Sequence, residues 1–121
     1  PPAVQRESSL DTEMLTANFG WESACRLLTM FADGTPAILD KLDKAIASHD
    51  SAGAKANSHE LKGYCSTISM HEMATLSKQI GDATRTQDWS EARQLFEQLV
   101  DAFETARHEI ESLTMISTTS T

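Results

Sequence analysis

Glycine and proline are scarce, at 5 and 3 in 121 residues, and no stretch sustains an alternation of apolar with polar residues. Both absences count against strands joined by tight turns. What fills the chain instead, Ala, Leu, Glu, Gln, Lys and Met, favours helices throughout. Cysteine is nearly missing. Cys25 and Cys65 stand far apart among apolar helical positions, which fits buried thiols in a reducing compartment better than a disulfide framework. Long apolar runs are absent and no charged leader precedes a hydrophobic segment, so the chain is expected to be cytoplasmic and to make no membrane contact of its own. Positive charge is in deficit: 10 Lys and Arg face 18 Asp and Glu, for a net charge of -8. The basic residues do not gather on one helix face, so nucleic acid is not an expected partner and another protein is. There is no glycine-rich nucleotide loop. Nor is there a pair of Glu-x-x-His motifs to build a dimetal bundle, since Glu104 and His108 are four apart and alone on the last helix.

At this length one domain with a single modest core is expected. Residues 1–9, opening Pro1-Pro2, read as a linker, residues 10–113 as the folded domain, and residues 114–121, ending STTST, as a flexible tail. A short helix from about Leu10 to Phe19 carries Leu10, Met14 and Leu15 on one side and can stop at Gly20. The second, from about Trp21 to His49, has an apolar stripe of Ala24, Leu27, Leu28 and Phe31 that resumes at Ile38, Leu42, Ala45 and Ile46. Between the two halves lies Pro36, which removes a backbone donor and crowds the carbonyl of Ala32, so either a kink or a break is expected there. The third helix, about Ala52 to Ile68, ends where Ser69-Met70-His71-Glu72 spells a capping box for the fourth. That fourth helix reaches about Thr86 with Met73, Leu76, Ile80 and Ala83 inward, and Asp88-Trp89-Ser90-Glu91 starts a fifth. From Glu91 to Leu113 the last helix keeps a near-heptad apolar spacing. Short connections make neighbours antiparallel. The expected fold is therefore all-α: an antiparallel, up-down-up-down four-helix bundle with an additional short N-terminal helix.

One face of the third helix stands out. Turning it by about 100° per residue sends Ala54, Leu61, Cys65 and Ile68 to one side and His59 to the other. Lys55, Lys62, Gly63 and Ser66 share that outward face, because positions three and four apart are surface neighbours. An imidazole standing in water titrates at about 6.5, so at neutral pH most of it offers an unprotonated ring nitrogen. Such a nitrogen can accept a phosphoryl group, whose equatorial oxygens an ammonium like that of Lys62 would stabilise. Gly63 costs about 1 kcal/mol relative to alanine inside a helix; the return would be room for another protein to approach the ring. Spacing alone leaves a second reading open, in which His59 is an ordinary exposed histidine, Lys62 a solvated charge and Gly63 a packing accommodation.

The run His59-Glu60-Leu61-Lys62-Gly63, in an acidic all-helical chain of this size, resembles the histidine-containing phosphotransfer (HPt) domain of multistep two-component phosphorelays. Phe31, the Ile38 to Ala47 segment and Asp50 look like that family's long second helix and the turn before its histidine helix, and the resemblance extends over about Leu10 to Leu113. It implies that His59 is the phosphoacceptor, Lys62 the phosphate-stabilising cation and Gly63 the access gap. The phosphoryl group would come from the aspartate of one receiver domain, in a hybrid sensor kinase, and pass to the aspartate of another, in a response regulator. Magnesium would be bound by the receiver, with no cofactor and no ATP site in this domain. The chain is expected to be a monomeric module, the C-terminal part of a hybrid sensor histidine kinase rather than a free-standing protein. Its docking surface is expected to comprise the His59 face with Lys55, Ser58 and Ser66, flanked by the second helix near Phe31.

Some positions depart from the family pattern. Ser58 stands in place of a frequent alanine, Tyr64 and Cys65 in place of small residues, and Ser69 in place of a frequent glycine. Gly81 falls where some relatives carry a glutamine that steadies the imidazole, and Gln79 should point elsewhere. His49, His71 and His108 lack the lysine-plus-glycine surroundings and read as surface or helix-end residues. Trp21 and Trp89, at helix starts, read as covers for a bundle end. The alternative function is a non-catalytic helical bundle that binds a partner through the same face.

Overall fold

The computed structural model describes residues 12–68 and 70–119. Five helices follow one another: α1 (Thr12–Phe19), α2 (Trp21–Ala47), α3 (Ser51–Thr67), α4 (His71–Arg85) and α5 (Trp89–Thr119). Helices α2 to α5 make the expected bundle, each packed on the next and α5 closing back on α2, with α1 folded against α2. None of the described helices is long and apolar enough to cross a membrane.

The connections explain the up-down order. Gly20 is the elbow between α1 and α2: its N–H donates to the Thr16 carbonyl at 2.8 Å while its own carbonyl accepts from Ala24 at 2.9 Å. Its φ of 79° is open to glycine at little steric cost. The α2–α3 and α4–α5 turns share one design without glycine. His49 (φ 56°) and Gln87 (φ 60°) take the left-handed position, and the next residue, Asp50 or Asp88, donates its N–H back to Ala45 or Ala83 at 2.8 and 2.9 Å, a Schellman closure. Each aspartate then caps the following helix, its Oδ1 accepting from Gly53 N at 3.0 Å or Glu91 N at 3.1 Å. One residue thus ends one helix and starts the next. The two turns meet at the same end of the bundle, where the rings of His49 and Trp89 stack 4.9 Å apart.

The third turn differs from expectation. The N-cap of α4 is Met70, fully buried and without a side-chain cap bond, its N–H donating to Cys65 O at 2.8 Å. Ser69, expected to lead a capping box, lies outside the described residues. This helix start is set by burying the Met70 side chain, worth about 2 kcal/mol.

Helix α2 runs unbroken through Pro36, so of the two outcomes expected there the break is excluded. Buried residues on both sides of the proline, Phe31 and Thr35 before it, Ile38, Leu39 and Leu42 after it, offset the roughly 3 kcal/mol that an internal proline costs. The Thr35 hydroxyl is buried with no hydrogen-bond partner among the described residues. Helix α5 also exceeds expectation, beginning at Trp89 and continuing to Thr119, well into the residues read as a tail. No glycine or proline follows Asp88 to stop it. Residues 1–9 and Leu10 lie outside the described residues.

Leu15, Leu28, Leu42, Leu61, Met73, Ile80 and Leu99 are almost completely buried and belong to one apolar core. Phe31 meets Phe103 edge-on at 5.8 Å. Cys65 is buried, whereas Cys25 is only half-buried, short of the expectation for both thiols. Trp89 packs against the core. Trp21, expected to cover a bundle end, remains 38% exposed. On the side of α2 and α5 lies an open groove of about 420 Å³, floored by Leu39, Phe96, Val100 and Phe103. The ion pair of Arg93 Nη1 with Asp43 Oδ1, at 2.6 Å, crosses between the same two helices.

Candidate functional site

Helix α3 buries Ala54, Ser58, Leu61 and Cys65, which fixes its rotation and leaves His59 exposed on the opposite side. Its two flanks face different neighbours. Ser58 turns toward α4, where a Cβ built on Gly81 would come 3.2 Å from the Ser58 hydroxyl. Tyr64 turns toward α2, where a Cβ built on Gly34 would come 3.9 Å from the Tyr64 hydroxyl.

Between α3 and α4 lies a cleft of about 210 Å³ lined by Lys55, Ser58, His59 and Lys62 from α3 and by Ser77, Lys78, Gly81, Asp82 and Arg85 from α4. In a chain of net charge -8, this concentrates the cations of Lys55, Lys62, Lys78 and Arg85 around one imidazole, with Asp82 the single carboxylate. That is an anion-attracting environment. Asp82 holds two of the cations: Lys78 Nζ donates to its Oδ2 at 3.1 Å and Arg85 Nη2 to its Oδ1 at 3.3 Å. The hydrogen bond from Lys78, with the charges of Lys78 and Arg85, holds the Asp82 carboxyl below its ordinary pKa. Ser58 and Ser77 spend their hydroxyls on their own helices, donating to Lys55 O at 3.1 Å and Met73 O at 2.8 Å.

Of the residues singled out from the sequence, His59, Lys62, Lys55 and Ser58 share this cleft. Gly63 and Ser66 lie on the exposed face beside it, and a Cβ added at Gly63 would meet nothing within 4 Å. Two partner-binding assignments need correction. Phe31 is 3% exposed and belongs to the core, because the apolar stripe of α2 points it at Phe103. Its neighbour Met30, 67% exposed, and Tyr64, 46% exposed, carry the apolar surface instead. Ser58 is 2% exposed, so it shapes the cleft floor and is not available for contact with a partner. The α4 wall of Ser77, Lys78, Asp82 and Arg85 was not anticipated. Its signal in the sequence is the spacing of residues 78, 82 and 85 along one helix stripe, which does not say which helix that stripe faces.

No hydrogen bond fixes the His59 ring among the described residues, and Gln79 is exposed and outside the cleft. The two departures at Ser58 and Gly81 lie against each other. A serine, one atom larger than alanine, sits where the facing residue has no side chain, so a longer residue at 81 would have to displace the Ser58 hydroxyl.

A family profile described as the Hpt domain matches residues 26–109. The chain belongs to the Hpt domain family. The match contains the whole α3–α4 cleft. Over 80 residues, 64% of this chain, the sequence is 34% identical to the sensor protein TorS of Escherichia coli (strain K12). The matched stretch amounts to 9% of that much longer protein. The fold is also that of the crystal structure of histidine-containing phosphotransfer protein B (HptB) from Pseudomonas aeruginosa PAO1, with a TM-score of 0.78 at 23% identity over 85% of this chain and 91% of that one. The bundle and its order of helices are thus those of an Hpt domain.

Proposed function

We propose that this Hpt domain is a phosphorelay intermediate in which His59 accepts a phosphoryl group from the aspartyl phosphate of one receiver domain and passes it to the aspartate of a second. The observation that carries this reading is an exposed imidazole in the one cleft where Lys55, Lys62, Lys78 and Arg85 converge. An unprotonated ring nitrogen of His59 attacks phosphorus. The N–P bond forms as the acyl P–O bond breaks, and the electron pair leaves with the donor's carboxylate. In the second transfer the acceptor's carboxylate attacks the same phosphorus and the N–P bond breaks, returning the pair to the imidazole. The loose transition state spreads charge over the equatorial oxygens, which the Lys62 ammonium stabilises. Magnesium, on this reading, would be held by the receiver and would supply charge neutralisation there, with no metal held by this domain.

The receiver docks on the exposed face of α3, over Gly63 and Ser66, with Tyr64 and Met30 supplying an apolar margin beside the polar centre. The domain acts as a monomer. The similarity to part of TorS supports a place in a hybrid sensor kinase, with a receiver of that kinase as donor and a response regulator as acceptor.

The test is incubation with a phosphorylated receiver. The domain should take up label that is acid-labile and alkali-stable, and His59→Gln should take up none. Label persisting in that variant, or no label from any charged receiver, would overturn the proposal and favour a bundle that binds its partner without chemistry.

A further inference from the structure

The reading of His59 as phosphoacceptor gives no role to Asp82, an anion placed in the cleft where a dianion would arrive. We propose that Asp82 is a positioning residue: it holds Lys78 and Arg85 at the cleft while His59 is unmodified, and it yields both cations to the phosphoryl oxygens once the group is on the ring. The inference rests on the assignment of His59.

Three observations on α4 support it. The carboxylate divides its oxygens, Oδ2 toward Lys78 and Oδ1 toward Arg85, so one group restrains two long, flexible cations that would otherwise sample open solvent. All three side chains line the same cleft as His59. The pairs are also releasable. Lys78, Asp82 and Arg85 side chains are 63%, 50% and 71% exposed, and ion pairs this open to water contribute little to folding. An incoming group of about two negative charges outbids a single carboxylate for the same cations.

The arrangement predicts opposite signs on one quantity, the partition of phosphoryl label between this domain and a receiver at equilibrium. Asp82 opposes the phosphorylated state by its charge and by its claim on the cations. Asp82→Asn should therefore shift label toward the domain, by about three- to tenfold for one charge removed beside a dianion in partly screened surroundings. Lys78→Gln and Arg85→Gln should shift it toward the receiver by a similar factor. Asp82→Glu should restore most of the wild-type partition, and about 1 M salt, where screening acts within about 3 Å, should collapse the differences.

The experiment measures that partition with the whole domain and one phosphorylated receiver at low and high salt, with urea midpoints recorded for each variant. Opposite, salt-sensitive shifts at unchanged midpoints support the proposal. Wild-type partition in Asp82→Asn, or shifts of the same sign in all three neutral variants, overturns it while leaving His59 as acceptor intact. Absence of label on the wild-type domain overturns the reading of His59 itself.

Discussion

Replacing Gly63 separates what the fold requires from what the partner requires. The residue sits inside α3, one turn after His59, with no left-handed backbone angle and nothing within 4 Å of an added Cβ. Nothing in the bundle asks for a glycine. Gly63→Ala should therefore stabilise the domain by about 0.5–1 kcal/mol, the helix-propensity difference. For a domain of this size that corresponds to a rise in Tm of about 2–4 °C. Gly63→Gln should be stabilised almost as much, since glutamine is a good helix former and its side chain enters open solvent. Transfer should behave in the opposite way. The glutamine side chain projects onto the face over which a receiver must bring its aspartate, and displacing reacting groups by about 1 Å can slow a reaction up to a hundredfold. Urea denaturation and the second-order rate of label uptake, measured on the same preparations, check both halves. Should Gly63→Ala lower the urea midpoint, the open space described here is wrong. Should Gly63→Gln accept label at the wild-type rate, the partner does not approach over this position.

Gly53→Ala is the contrasting case: its Cβ would fall 2.5 Å from Asp50 Oδ2 and displace the N-cap, so stability should stay level or drop by up to about 1 kcal/mol, and a gain equal to that of Gly63→Ala in urea denaturation would refute the cap geometry. Burial pushes the Cys65 thiol up to about 12, so in the native domain at pH 8 it should resist a thiol reagent that modifies half-buried Cys25, and react only on unfolding. The same shift has a sign in stability. Between about pH 9 and 12 the unfolded chain loses the thiol proton while the native one keeps it, so stability falls as pH rises, by up to about 1.4 kcal/mol per unit. Cys65→Ala should lack that contribution, so the stability difference between wild type and Cys65→Ala in urea melts should itself fall as pH rises through this range.

Helix limits were legible where a residue type acts locally. Gly20 stops α1 because only its backbone turns left without strain, and Asp88 starts α5 because its carboxylate reaches an N–H three residues on. Pro36 left a kink and a break equally open because its penalty is local while the compensation, burial of Phe31 and Leu39 on either side, comes from other helices. The start of α4 differs for a related reason: its N-cap is Met70, held by burial and not by a polar side chain. At the site, the rotation of α3 could be read from Leu61 and Cys65, so the exposed face with His59 followed. The opposing wall could not. Lys78, Asp82 and Arg85 share a cleft with His59 because α3 and α4 pack together, with Gly81 against Ser58, and that depends on two helices fitting together rather than on the period of either. Phe31 shows the converse. Its place on an apolar stripe already implied the core, and a docking role conflicted with that.

The groove between α2 and α5 lies across the bundle from the His59 cleft. The groove there is open to solvent, and the Arg93–Asp43 pair between the same two helices is partly exposed to water and holds weakly. Thermal breathing of a bundle begins where its walls fit least closely. Opening of the bundle is therefore expected to start along this rear seam, with α3 and α4, which carry the reactive face, the later pair to separate.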